Sequence, residues 1–80
     1  MDIQKAVISR IVCLIEQKNI TVNEAATCSG IPPSTLKNIL YGKSKNVGII
    51  TIKKLCDGLE ISIQDFFVDS IFDDLEQEVK

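Results

Sequence analysis

The sequence of 80 residues contains no histidine and no tryptophan, and its three cysteines are Cys13, Cys28 and Cys56. An odd number of cysteines, with no close pair and no histidine, argues against both a disulfide framework and a zinc site. There is also no glycine-rich phosphate loop and no serine or cysteine beside a recognisable base, so we predict no enzyme, no cofactor and no metal. We expect all three cysteines to be small, buried and reduced.

Long apolar runs are absent as well. The longest uncharged apolar run is Ile11–Ile15, far below the roughly 20 residues of a membrane-spanning helix. No basic-then-apolar leader precedes it. We therefore expect a cytoplasmic protein without a membrane partner. A chain of this length predicts one small domain whose aliphatic core is only marginally stabilising by itself.

Acidic residues are missing from the middle of the chain. Residues 25–56 contain no Asp or Glu, and their lysines are Lys37, Lys43, Lys45, Lys53 and Lys54. Residues 57–80 carry eight acids and one base, and the net charge of the whole chain is −2. Because local potential rather than net charge governs phosphate binding, this distribution favours a nucleic-acid-binding surface on the central segment.

The central segment begins with the pattern of a short helix and a tight turn. Thr21 and Glu24 have the spacing of a capping box, in which each side chain bonds an otherwise unpaired amide at a helix start. They predict a helix from Val22 to about Cys28. Gly30 then supplies the positive φ that a tight turn requires.

A second short helix follows the turn. Pro33 suits its first position, because proline loses nothing where the amide would be unpaired. The helix should run to Tyr41 and end at Gly42. Its apolar residues form a buried stripe: Ile31, Leu36, Ile39 and Leu40. Two short helices joined by a glycine turn, the second with a polar outer face, describe a helix-turn-helix.

The segment resembles the phage repressor and Cro-type, or xenobiotic-response-element-type, helix-turn-helix regulators. The matching residues are Ile20, Thr21, Glu24, Ala26, Gly30, Ile31, Ser34, Thr35, Leu36, Ile39, Gly42 and Lys43. The similarity continues through ITIKKLCDGLEIS to Asp65, Phe66 and Phe67, so it covers roughly residues 5–67. It implies an all-α fold, a compact five-helix lambda-repressor-like domain whose helix 33–41 enters the DNA major groove.

The remaining helices follow from hydrophobic spacing. Residues 3–18 predict a first helix with two adjacent apolar stripes, the inner one Val7, Ile11 and Leu14 and the outer one Ile8, Val12 and Ile15. A fourth helix is predicted over Ile49–Leu59 with Ile49 inward, and a fifth runs from Ser62 through Phe67. Glu60 stands where the family commonly has a left-handed glycine, so the fourth helix is expected to end under strain or differently.

The C-terminal segment predicts a sixth, amphipathic helix. Acidic residues alternate at helical spacing with an apolar stripe of Ile71, Phe72, Leu75 and Val79. We therefore divide the chain into a helix-turn-helix domain, residues 1–68, and an acidic helix, residues 69–80. This helix is expected either to cover the outer stripe of the first helix within one chain or to form a subunit interface.

The resemblance also assigns DNA contacts. The residues expected to reach base edges are Pro33, Ser34, Lys37 and Asn38. The residues expected to hold the DNA backbone are Asn23, Thr35, Tyr41, Lys43, Ser44, Lys45 and Asn46. Prolines replace the long amides often found at the start of this helix, so we expect specificity to depend mainly on Lys37 and Asn38.

Two classes of function remain open. The first is a sequence-specific regulator that binds double-stranded DNA, a repressor-like homodimer with no small-molecule substrate. The second is a protein-interaction or antitoxin-like module on the same fold, with secondary DNA binding. The acid-free lysine segment favours the first class, whereas the wide apolar face of the first helix and the amphipathic tail favour the second.

Overall fold

The computed structural model describes residues 1–79, and Lys80 lies outside the described residues. Over that range the chain forms five α-helices and no strand. They are α1 (Ile3–Lys18), α2 (Val22–Cys28), α3 (Pro33–Leu40), α4 (Ile49–Gly58) and α5 (Ile63–Phe67), and a 3-10 turn follows at Ser70–Phe72. The predicted all-α fold and its first five helices are confirmed, with boundaries within one residue.

Side chains that accept backbone hydrogen bonds set the start of three helices. Asp2 Oδ1 accepts from the amide of Lys5 at 2.8 Å and begins α1. Thr21 and Glu24 form the complete capping box at α2, with bonds of 3.0 and 2.9 Å. Ser62 Oγ accepts from the amide of Asp65 at 2.9 Å and begins α5. These local bonds explain why the sequence alone located the helix starts.

Four helices end in the same way, with one residue in the left-handed conformation. These residues are Asn19 (φ 55°), Gly30 (φ 68°), Gly42 (φ 77°) and Glu60 (φ 60°). At each end the amides of the left-handed residue and of the next residue donate to carbonyls of the helix. These two hydrogen bonds form a Schellman motif. Of the two endings expected for α4, the strained one is present: Glu60 adopts the left-handed conformation that favours glycine, at a cost of about 1–2 kcal/mol.

The residue after the left-handed position differs among these four ends. Ile20, Ile31 and Ile61 follow the first, second and fourth, and all three pack against the hydrophobic core. Lys43 follows the third, at the end of α3, and it is exposed. The chain is therefore anchored to the core directly after α1, α2 and α4, but not directly after α3.

The core lies between α1, the α2–α3 pair, α4 and α5. Its largest fully buried side chains are Phe66, Ile11, Leu36, Leu55, Leu59 and Cys56. α2 packs against both α3 and α4, and α1 packs against α3. Gly58 allows the closest approach, because a Cβ there would lie 2.4 Å from Ser29 Oγ and 2.8 Å from the carbonyl of Cys28. This contact seats α4 directly behind the turn of the helix-turn-helix.

The predicted sixth helix is wrong. Beyond the 3-10 turn, residues 73–79 form bends and irregular chain. Like charges fall four residues apart at Asp69 and Asp73 and at Asp74 and Glu78, a spacing that destabilises a helix. Acids in a last helical turn also oppose the helix dipole, and a segment of about ten residues is too short to be a stable helix alone.

The tail (residues 68–79) instead packs onto its own chain. The 3-10 turn contacts α1, and the ring of Phe72 lies 5.1 Å from that of Phe67 and 6.3 Å from that of Phe66. Arg10 donates from Nε to the carbonyl of Phe66 at 2.7 Å, and its Nη1 pairs with Asp69 Oδ2 at 3.3 Å. The amide of Glu76 donates to the carbonyl of Met1 at 3.1 Å. Of the two covers predicted for α1, the intrachain one is present.

Three predictions about burial are also wrong. Only Cys56 is a buried cysteine, whereas Cys13 is half-buried and Cys28 is exposed. Ile49 does not face inward but is 63% exposed. Ile15, assigned to the outer stripe of α1, is buried in the core. For Ile49 and Ile15, helical spacing identified an apolar position, but the actual position of the neighbouring helix decides which positions are covered. For the cysteines, the expectation came from the usual burial of this residue type.

Candidate nucleic-acid interface

α3 presents a polar face on a buried apolar base. Leu36 is fully buried and Ile39 is 3% exposed, and these two residues fix the helix against α2 and α1. The four residues predicted to reach base edges are all exposed: Pro33, Ser34, Lys37 and Asn38. The helix therefore displays all four on its solvent side, where a ligand could reach them.

The turn before α3 holds the helix at a fixed angle to α2. The amide of Gly30 donates to the carbonyl of Thr27 at 3.2 Å, and that of Ile31 donates to the carbonyl of Ala26 at 3.1 Å. Ile31 is buried, so the chain enters α3 through a fixed point. No side chain caps α3; Pro33 at its first position has no amide to satisfy.

The chain leaves α3 through what we call the lysine loop, residues 43–46. The amide of Lys43 donates to the carbonyl of Asn38 at 2.9 Å, so the loop begins bonded to the helix itself. Lys43, Lys45 and Asn46 are exposed and Ser44 is half-buried. The side-chain amide of Gln4, in the first turn of α1, donates to the carbonyl of Ser44. The predicted backbone-contacting residues of the loop thus lie beside the outer face of α3.

The lysines of this region differ in the charge that they offer. Across residues 1–79 there are two ion pairs, Arg10 with Asp69 and Lys53 with Asp57. Hydrogen bonding to Asp57, with charge attraction second, raises the pKa of the Lys53 ammonium. Asp57 therefore partly neutralises Lys53, which the sequence placed in the basic segment. The other lysines of the segment are Lys37, Lys54 and the two of the lysine loop; all are exposed and form no ion pair within residues 1–79.

The other predicted backbone contacts lie around this surface. Asn23 on α2 and Thr35 on α3 are exposed, and Tyr41, directly after α3, is 74% exposed. Beyond the loop, Ile49 and Ile50 begin α4 with 63% and 67% of their surface exposed. An apolar edge that the sequence did not predict therefore adjoins the basic surface.

The predicted tail interface is only partly brought together. Ile8, Ile71, Phe72 and Leu75 are half-buried, which agrees with the contact between α1 and the 3-10 turn. Val12 is 37% exposed and Val79 is 87% exposed, so these two remain largely outside it.

Sequence reasoning did not identify Gln4 or Arg10. Both are polar residues of α1 whose partners lie 40 or more residues away along the chain. For Arg10 the one available signal was its position among the apolar residues Val7, Ile11 and Leu14 of the first helix. Nothing in the sequence marks Gln4. Among the described residues no group of His, Cys, Asp or Glu has the arrangement of a metal site. Likewise, no helix in residues 1–79 has the length and apolarity needed to cross a membrane.

Comparison with known proteins gives the following. The family model described as the Cro/C1-type HTH DNA-binding domain matches residues 10–70. A solved structure, the crystal structure of the prophage Lp1 protein 11, is similar with a TM-score of 0.79 and 36% sequence identity. The similarity covers 94% of the present chain and 100% of that chain. No curated protein matches.

Proposed function

Because the chain belongs to the Cro/C1-type helix-turn-helix family of DNA-binding transcription regulators, we propose that it is a repressor-like homodimer that recognises one operator sequence. In this proposal α3 enters the major groove and the lysine loop holds the adjacent phosphates. The observation that carries the proposal is the shared exposure of the polar face of α3 and of a lysine loop bonded to its end. It is no enzyme.

Direct readout is assigned to Asn38 and Lys37. An asparagine amide can pair bidentately with adenine, and a lysine can reach guanine in the major groove. Both side chains are exposed on α3, and no carboxylate in residues 1–79 forms an ion pair with Lys37. Pro33 and Ser34 offer van der Waals contact and one hydroxyl, so they add less to discrimination.

Binding of the DNA backbone is assigned to the lysine loop together with Asn23, Thr35 and Tyr41. Contacts to phosphates fix the position of a protein on the duplex without reading the sequence. Lys43 and Lys45 are exposed and are not paired with a carboxylate in the described part of the chain. In the tail, Asp69 pairs with Arg10 of α1, and no tail acid forms an ion pair with a lysine of the loop within residues 1–79.

A homodimer is proposed because one short helix contacts too few base pairs to select a site. Two copies of α3 separated by one DNA turn, about 34–36 Å, would double the contact. Apolar surface remains for such an interface after the tail has packed, at Val12 and Val79. On the wide apolar face of α1 that favoured an interaction module, Ile15 is buried in the core and Ile8 is half-buried, which leaves Val12 as its exposed member. We therefore do not propose that second function.

The readout is tested by selecting bound duplexes from a random pool and then measuring the Asn38→Ala variant on the selected site. We expect loss of about 1–3 kcal/mol of discrimination, concentrated at one adenine position. The exposed Asn46→Ala serves as the control that should leave the preferred sequence unchanged. An unaltered preference and affinity for Asn38→Ala would show that this residue does not read the site.

The assembly is tested by the solution mass of the full chain and of a chain stopped after Val68. We expect a dimer for the full chain at high micromolar concentration and a loss of dimer for the shortened one. A monomeric full-length chain in the absence of DNA contradicts the homodimer and leaves the tail as a cover for α1 alone.

A further inference from the structure

The lysine loop is held at three places: at its first residue, at Ser44 and directly after its end. At its start, the amide of Lys43 bonds the carbonyl of Asn38 at 2.9 Å. After its end, Val47 is half-buried against the core. Between these points, the side-chain amide of Gln4 donates to the carbonyl of Ser44. Within residues 1–79 this is the one hydrogen bond from a side chain elsewhere in the fold to the loop.

The loop needs such a support because it lacks the apolar anchor of the other helix ends. Ile20, Ile31 and Ile61 each pack on the core directly after a left-handed residue, but Lys43 takes that position after α3. A lysine there keeps its charge in solvent and leaves the chain without an apolar contact to the core until Val47. Gln4 supplies a polar attachment where the isoleucines supply an apolar one.

Gln4 is itself well placed to give this support. It lies in the first turn of α1, whose start is fixed by the 2.8 Å bond from the Lys5 amide to Asp2. The residue before that cap, Met1, accepts the amide of Glu76 at 3.1 Å. The start of α1 is therefore held by its own cap and by the tail.

We propose that Gln4 is a positioning residue for DNA-backbone binding: by holding Ser44 inward, it keeps Lys43 and Lys45 directed outward beside α3. The alternation of exposure along the loop agrees with this role, since Ser44 is half-buried between two exposed lysines. This inference rests on the proposed function. Gln4 touches no DNA in it and acts through the lysines, by restricting the conformations that the loop samples.

The test compares Gln4→Met with Gln17→Met. Methionine has a similar length and helix propensity but no amide hydrogen, so the first variant removes the bond to Ser44 and preserves α1. Gln17 is an exposed glutamine of the same helix far from the loop, which makes it the matched control. Both variants are made in the natural chain and in a Lys43→Ala, Lys45→Ala background. Affinity for a random duplex is measured at low salt, and amide ¹⁵N relaxation at residues 43–46 is measured without DNA.

We expect Gln4→Met to weaken binding about two- to tenfold, because the loosened loop must then be ordered when it binds the phosphates. It should also increase fast motion at Ser44 and Lys45 while leaving the melting temperature near that of Gln17→Met. In the background without the two lysines, the same substitution should have no further effect on binding. That dependence on the lysines distinguishes positioning from a general effect on the fold.

Two results overturn the inference while leaving the proposed function intact. The first is that the natural protein binds the duplex and the Gln4→Met variant binds it with the same affinity. The other is the same loss of affinity in both backgrounds, which would mean that Gln4 does not act through the lysines. A natural chain that fails to bind duplex DNA at low salt overturns the proposed function and the inference with it.

Discussion

The ends of α2 and α3 have the same backbone geometry but opposite surroundings. Both close with a left-handed glycine, Gly30 or Gly42, and with the same pair of hydrogen bonds. After α2 the next residue is Ile31, buried in the core; after α3 it is Lys43, exposed in the lysine loop. The comparison teaches that the same helix-end geometry suits both surroundings. The type of the next residue determines whether the chain then packs on the core or stays exposed to solvent.

The largest expected effect comes from removing the apolar anchor. Ile31→Ala should reduce the free energy of unfolding by about 2–5 kcal/mol, because it leaves a cavity beneath the helix-turn-helix. Lys43→Ala, the substitution at the equivalent position after α3, should change it by less than about 0.5 kcal/mol. Urea denaturation of the two variants measures both values. Equal losses of unfolding free energy at the two positions would contradict the distinction between an anchored and an exposed helix end.

A smaller effect is expected at the one helix end that carries a glutamate. Glu60→Gly should stabilise the fold by about 0.5–1 kcal/mol, since relief of the left-handed strain exceeds the added chain entropy of glycine. Glu60 forms no ion pair within residues 1–79, so the substitution removes no such contact.

Asn19→Gly is the control for this prediction. Asparagine tolerates the left-handed conformation better than glutamate does, so its gain should be smaller. Thermal unfolding of both variants ranks the two ends. If Glu60→Gly is neutral or destabilising, the glutamate stabilises the chain through an interaction other than its backbone geometry.

The parts of the fold that depend on neighbours along the chain could be predicted from the sequence. The capping box of Thr21 and Glu24, the left-handed Gly30 and Gly42, and the buried Leu36 all follow from spacings of a few residues. The exposure of the predicted base-contacting residues follows in turn, because burial of one helix face fixes the other. The same reasoning placed Lys43 beyond the end of α3.

The parts that depend on distant partners could not be predicted. Gln4 meets Ser44 across 40 residues and Arg10 meets Phe66 across 56, and no local spacing encodes either contact. The prediction of a helical tail failed for a related reason. The apolar residues of the tail recur at helical spacing, yet a single 3-10 turn is enough to bring Phe72 against Phe67 and to contact α1. Ile49 was assigned to the core because spacing does not tell where a neighbouring helix stops, and Cys28 because cysteine is usually buried.

The most direct test of the account is the salt dependence of binding to random duplex DNA by the natural chain and by the Lys43→Ala, Lys45→Ala variant. Each lost phosphate contact should lower the magnitude of the slope of log K against log salt by about 0.9. We therefore expect a decrease of about 1.8 for the double variant, with random and specific DNA weakened nearly equally. An unchanged slope, or a loss confined to the specific site, would contradict the assignment of the lysine loop to the DNA backbone.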